Sequence, residues 1–140
     1  MAAYLGIDIG TRESKGVLID DKGKIIAMEV VGHGVDNPRP GWFSQDAEVI
    51  WWGDFCRLCR MLTAKAEISA SEIGCVGLSA LGCDCVPVDG EGKALCDAIL
   101  YGIDSRSHRE IEWALDKYGP NAETVFGHEP CSSDVAPKIM

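Results

Sequence analysis

Three short β-rich runs follow one another at the start of the chain, Tyr4 to Ile9, Gly16 to Asp20 and Ile25 to Val31. The last two are separated only by Asp21-Lys22-Gly23-Lys24, where Asp and Gly supply turn chemistry. Three adjacent strands joined by tight turns make an antiparallel meander. The segment Asp36 to Phe43 holds Pro38, Pro40 and Gly41 and is expected to be a surface loop. A helix is expected next, with Asp46 as its N-cap. Val49, Trp52, Cys56, Cys59, Leu62 and Ala66 recur three or four residues apart, which puts them on one inward face.

Beyond that helix, Cys75 to Ser79 and Cys85 to Val88 read as short strands, with Cys83 and Cys85 on one strand face. Asp89-Gly90-Glu91-Gly92 reads as a turn and Ala98 to Tyr101 as another strand. A second helix is expected over about Ser107 to Tyr118, with Ile111, Leu115 and Tyr118 on one side and Gly119-Pro120 as its stop. The tail from Asn121 to Met140 carries at most a short helix and a loop. No repeat or low-complexity tract divides the chain, so it reads as one continuous α/β unit.

The 140 residues suit one domain. Thirteen Lys and Arg stand against 22 Asp and Glu, a net charge of −9, which argues against a phosphate-backbone binder and so against nucleic acid as a partner. The amino terminus lacks a basic n-region, and no run reaches the roughly 18 apolar residues of a membrane span. A cytoplasmic protein with no membrane partner is the expectation. Seven Cys, an odd number without the framework of a small secreted domain, are expected to be reduced thiols.

Gly6-Ile7-Asp8-Ile9-Gly10-Thr11, followed by Ser14-Lys15-Gly16, is the most informative stretch. A strand delivers a carboxylate into a Gly-containing turn that feeds another strand. Gly10 lets the backbone approach an anion, the turn amides and the Thr11 hydroxyl can donate to phosphate oxygens, and Lys15 adds positive charge. Asp8 is then suited to Mg²⁺, which takes carboxylates, waters and substrate phosphates. This is not a P-loop, because the GxxxxGK[ST] spacing is absent.

Other motifs carry less. Cys56-Arg57-Leu58-Cys59 has the spacing of redox or zinc sites, but both thiols fall on the expected apolar stripe and are read as core. His33, His108 and His128 show no metal or catalytic spacing and are read as solvated or capping residues. Trp42, beside Pro40-Gly41 in a loop, is a candidate exposed stacking surface, whereas Trp51 and Trp52 are read as packing between layers.

Five blocks together carry a resemblance: Gly6 to Thr11 with Lys15; Trp42-Phe43-Ser44-Gln45-Asp46 leading to Trp51-Trp52; Gly77-Leu78-Ser79 to Asp89; Ala98-Ile99-Leu100-Tyr101 with Asp104 and Arg106; and Ala136-Pro137-Lys138. In this order and over nearly the whole chain, they resemble the amino-terminal part of the FGGY carbohydrate kinases, xylulokinase-like members being nearest. The resemblance implies an α/β fold, the actin-like, ribonuclease-H-like amino-terminal lobe, with a mixed sheet and flanking helices. It also implies ATP and Mg²⁺ as cofactors, a small-molecule sugar such as a pentulose as partner, and phosphoryl transfer from ATP to a sugar hydroxyl.

By the same resemblance Asp8 inherits a role near metal and phosphates, Gly10 and Thr11 lie by the phosphates, and Lys15 matches a position where Lys or Arg is usual. Sugar contacts fall on Gly82 and Cys83, where xylulokinases often carry Met-His, and on Asp104, Arg106 and Trp42. A thiol in place of imidazole changes the hydrogen bonding offered to a sugar hydroxyl. Arg12-Glu13 replace the small or hydroxyl residues common after Gly-Thr, placing a carboxylate by the turn.

The family's catalytic Asp base and adenosine-gripping lobe fall beyond the position of Met140. Residues 1–140 are therefore expected to be one amino-terminal lobe, incomplete, inactive alone, and prone to self-association as a homo-oligomer. The alternative is a non-catalytic sugar- or nucleotide-binding remnant of the same fold.

Overall fold

The computed structural model describes residues 2–140. In chain order the regular elements are β1 (Ala3–Ile9), β2 (Glu13–Ile19), β3 (Ile25–Gly32), β4 (Asp36–Arg39), β5 (Trp42–Gln45), α1 (Gly53–Lys65), β6 (Ile73–Ala80), β7 (Ala98–Ile99), α2 (His108–Tyr118), α3 (Ala122–Phe126) and α4 (Ala136–Ile139). Two compact units divide them, one formed by Met1–Gly34 and Ala47–Leu81, the other by Val35–Asp46 and Gly82–Met140.

In the first unit the expected meander forms one side of a four-stranded sheet ordered β3-β2-β1-β6. β1 runs antiparallel to β2 and parallel to β6, so the sheet is mixed. Side chains alternate across it. Ala3, Leu5, Ile7 and Ile9 of β1, Leu18 of β2, and Ala27 and Val31 of β3 are buried on one face, where α1 lays Leu58 and Leu62. Full burial of each of those leucines is worth roughly 1.5–3 kcal/mol relative to exposure. Gly16 of β2 admits the helix to this distance, because a Cβ there would stand 2.6 Å from Leu62 Cδ1 and 3.5 Å from Leu58 Cβ.

The helix face differs from the expected stripe. Leu58 and Leu62 are fully buried, whereas Val49 and Trp52 are 69% and 59% exposed. The run from Ala47 to Trp52, directly after Asp46, is wound as a π-helix before α1 begins. Its i→i+5 bonding breaks the angular register, so residues before Gly53 do not continue the stripe of those after it. Trp52 instead stacks on Phe55, ring centroids 5.3 Å apart. Cys59 does pack against the core, while Cys56 lies half-buried on its flank.

The second unit holds a three-stranded sheet ordered β4-β5-β7. The expected loop over Asp36 to Phe43 is in fact a hairpin, with Arg39 facing Trp42 across the Pro40-Gly41 turn. Two local facts reconcile prolines with strand structure. Pro38 lies on an edge strand, where a missing N–H is tolerated, and Gly41 takes φ +78°, the value a type II turn asks after Pro. Conversely, Cys85 to Val88 forms only isolated bridges, Cys85 to Ile99 and Val88 to Ala94. Cys83 is exposed and Cys85 buried, so they do not share a strand face.

The turns at Asp20 and Asp89 use one chemistry twice. Asp20 Oδ1 accepts from the Lys22 and Lys24 amides, and Asp89 Oδ1 from those of Glu91 and Lys93. Each closes on a glycine of positive φ, Gly23 or Gly92. α2 buries Ala114 and carries Tyr118, which meets Trp113 and Phe126 edge-on. The tail holds two short helices, α3 and α4, more than expected. No helix among the described residues is long and apolar enough to cross a membrane.

Candidate active site

β1 carries Asp8 to the sheet face opposite α1, where it is exposed and stands across from Lys15 in the β1–β2 register. The strand then turns at Gly10, whose N–H donates to Glu13 O at 3.1 Å. A Cβ on Gly10 would lie 2.8 Å from that oxygen and 3.9 Å from Asp8 Oδ2, so the close turn requires glycine. Thr11, half-buried, follows in the turn. The carboxylate of Glu13 is held on Lys15 at 2.8 Å, which answers the negative charge that the sequence places beside the turn. The hydrogen bond and charge of Glu13, with a smaller attraction from Asp8, raise the Lys15 pKa and keep the ammonium charged. Asp8 and Lys15 border an open depression of about 620 Å³ whose walls include Gly6, Val17, Val30 and Leu78.

Behind the turn lies a buried network. His33, read from sequence as solvated or capping, has a side chain only 6% exposed and approaches Asp54 Oδ2 with Nδ1 at 2.7 Å. Its Nε2 lies 2.9 Å from Gly10 O, and its backbone N–H donates to Arg12 O at 2.9 Å. Ser14 Oγ donates to the same Asp54 oxygen at 2.9 Å. Both ring partners are acceptors, a carbonyl and a carboxylate. Residues 14, 33 and 54 fit no spacing rule, so only the folded chain brings them together.

In the second unit, Asp104 is fully buried. Its Oδ2 accepts from the Phe43 amide at 2.6 Å, its Oδ1 from the Arg106 amide at 2.9 Å, and Arg106 Nε reaches both oxygens at 2.9 Å. Burial acts to raise this carboxyl. The Arg106 side-chain bond, the Phe43 and Arg106 amides and the guanidinium charge overcome it and hold the pKa below the ordinary value. Arg106 Cζ also stands 4.5 Å from the centroid of the Trp42 ring, and Arg39 Cζ 4.7 Å. Trp42 thus joins Asp104 and Arg106 in one cluster although it is far from that pair in sequence.

Gly82 and Cys83 are exposed, and Lys138 Nζ donates to Cys83 O at 3.2 Å. The neighbouring Asp84, which sequence reading passed over, is half-buried and accepts from the Tyr101 amide at 2.7 Å. Burial pushes its carboxyl up, against the Tyr101 bond and Lys138, and its Oδ2 is buried without a partner among the described residues. The CxxC pair joins no three-residue cluster of metal ligands among the described residues.

Residues 3–123 match the FGGY family of carbohydrate kinases, N-terminal domain. Glycerol kinase of Trichormus variabilis is 36% identical over 98 residues, 69% of this chain and 19% of that protein. Xylulose kinase of Escherichia coli is 27% identical over 137 residues, 98% of this chain and 27% of that protein. The chain therefore spans about a fifth to a quarter of the length of these curated relatives. Among solved structures, xylulose kinase from Rhodospirillum rubrum superposes with a TM-score of 0.86 at 21% identity, covering 98% of this chain and 28% of that one. Plasmodium falciparum glycerol kinase with ADP gives 0.85 at 24%, covering 99% and 28%. The mixed sheet flanked by α1 is thus the expected actin-like ATPase fold, and with the family match over residues 3–123 it makes this chain a member of the FGGY family of carbohydrate kinases.

Proposed function

We propose that these residues are the amino-terminal part of an ATP-dependent kinase that transfers a phosphoryl group to a hydroxyl of a pentulose or a related small polyol. The observation that carries the reading is the exposed Asp8 at the end of β1, facing Lys15 and followed by a turn whose Gly10 has no room for a side chain. A hard carboxylate beside a tight glycine turn and an ammonium suits a hydrated Mg²⁺ and a phosphate chain. Asp8 would hold the ion through water, the Gly10–Thr11 turn would lie against the phosphates with the Gly10 N–H kept on Glu13 O, and Lys15 would add positive charge. Mg²⁺ supplies charge neutralisation of the transferring group.

On the sugar side Trp42 and Arg106, stacked on one another, would form one wall, with Gly82 and Cys83 as lining. Asp104, fully buried, contributes by fixing Arg106 and the Phe43 main chain. Relatives named xylulose kinase and glycerol kinase support a small polyhydroxylated substrate. On this reading the general base is not among these 140 residues, and the chain alone does not turn over.

The test is Asp8→Asn in the full-length protein carrying these residues, with ADP release followed against a panel of ketoses and polyols. Asp8 is exposed, so the fold is kept. Turnover falls by about a hundredfold or more, the scale of losing one electrostatic stabiliser of the transition state. Wild-type turnover in the variant would overturn the assignment of Asp8. Saturable sugar binding with no turnover in the unaltered full-length protein would replace the kinase by a binding role.

A further inference from the structure

Between α3 and α4 the chain reads His128-Glu129-Pro130-Cys131-Ser132-Ser133-Asp134, three potential ligands at equal spacing. Their donor atoms all lie within 4.8 Å of one another, and among the described residues no other group of three His, Cys, Asp or Glu side chains does so. His128 Nε2 stands 2.7 Å from Asp134 Oδ1, while Asp134 Oδ2 accepts the Cys131 amide at 2.8 Å. His128 and Cys131 are exposed, so an ion can reach the cluster from solvent.

The segment is also held in place. Asp134 N–H donates back to Cys131 O at 3.0 Å, and Ser132 Oγ donates to Gly102 O at 3.0 Å. Gly102 N–H returns to Ser132 O at 3.4 Å, and Pro137, just after the segment, is fully buried. The loop between His128 and Asp134 is therefore pinned to the body of its own unit.

We propose that His128, Cys131 and Asp134 form a binding site for a zinc-type divalent cation, with the fourth position open to water. Imidazole, thiolate and carboxylate are the three ligand classes zinc takes. Bond lengths of about 2.0–2.3 Å in a tetrahedron set neighbouring donor atoms about 3.3–3.7 Å apart. The observed cluster needs only a small opening of the His128–Asp134 pair and a small inward turn of the Cys131 side chain. A hydrogen-bonded clasp would be complete with His128 and Asp134 alone. The soft third donor on the same spot is what a metal uses and a clasp does not. On binding, the Cys131 thiol gives up its proton to solvent while the imidazole binds through an unprotonated ring nitrogen. About one proton thus leaves per ion bound, and affinity rises with pH.

Titration of the full chain with Co²⁺, metal-free and with a phosphine reductant present, reads the site directly. One equivalent saturates, a near-ultraviolet sulfur-to-cobalt charge-transfer band and tetrahedral visible bands appear, and Zn²⁺ bleaches them. Cys131→Ser abolishes the charge-transfer band, and His128→Gln or Asp134→Asn weakens binding by at least about tenfold, the lower end of what outer partners alone cost. Far-UV circular dichroism checks each variant. A second measurement uses the unaltered chain: Zn²⁺ shields Cys131 from alkylation, located by mass spectrometry. The proposal is overturned by an absent band, by a full-strength band in a folded Cys131→Ser, which would place the ion on other thiols such as Cys56 and Cys59, or by undiminished alkylation of Cys131 with Zn²⁺ present.

Discussion

His33 and Asp54 meet at 2.7 Å inside the first unit, joining the residue just past β3 to the first turn of α1. Because the other ring nitrogen reaches Gly10 O, the glycine turn is fixed to the helix that packs on the opposite sheet face. The geometry of the proposed phosphate turn is thereby set from behind, by groups that solvent hardly touches.

Asp54→Ala tests this. It leaves Ser14 and His33 buried without their shared acceptor, and each unsatisfied group costs about 1–3 kcal/mol. A loss of about 2–4 kcal/mol in unfolding free energy by urea titration is expected. Asp54→Asn, which keeps an acceptor oxygen, loses less.

Gly16→Ala places a methyl against Leu62, which is fully buried and cannot swing into solvent. Overpacking of this kind costs typically about 1–3 kcal/mol. The same substitution at Gly32, where an added Cβ would meet nothing within 4 Å, leaves the thermal midpoint nearly unchanged. Equal midpoint shifts in the two variants would contradict the tight helix–sheet approach.

Asp104 makes the second unit acid-sensitive. Its native pKa lies below the ordinary value, so its contribution to stability is complete above the unfolded carboxyl pKa of about 3.9 and is lost as pH falls through the native value. Asp84, with a raised pKa, acts in the opposite sense: while ionised it opposes folding, and acidification through its native value relieves that. Asp104→Ala leaves Arg106 unpaired and is expected to cost about 3 kcal/mol near neutral pH, with the difference from the parent narrowing in acid. Urea midpoints across that range measure it.

The seven thiols are all free and differ in access: Cys75, Cys83, Cys96 and Cys131 are exposed, Cys56 and Cys59 half-buried, and Cys85 buried. Burial, then the neighbouring Cys56, pushes the Cys59 thiol up, so less of it is the reactive thiolate. Iodoacetamide is expected to modify the four exposed thiols first and Cys59 and Cys85 last. Early labelling of Cys59 would show that α1 does not hold it against the core.

Local chemistry written in the sequence carries through wherever the causes lie close together in the chain. The meander followed from strand runs with links too short for anything but turns, and both turns fall where Asp and Gly cluster, although Asp20 and not Asp21 accepts the amides of the first. Asp8, Gly10 and Lys15 were legible as neighbours because one strand, one turn and the next strand bring them together. Tertiary structure decided the rest. Pro38 became tolerable only because β4 lies at a sheet edge, and the helix face shifted because the winding changes at Gly53. His33, Asp54 and Ser14, like Trp42 with the pair Asp104 and Arg106, meet across separations of tens of residues. Burial in the folded chain, not spacing along it, gives a polar side chain a partner it cannot do without.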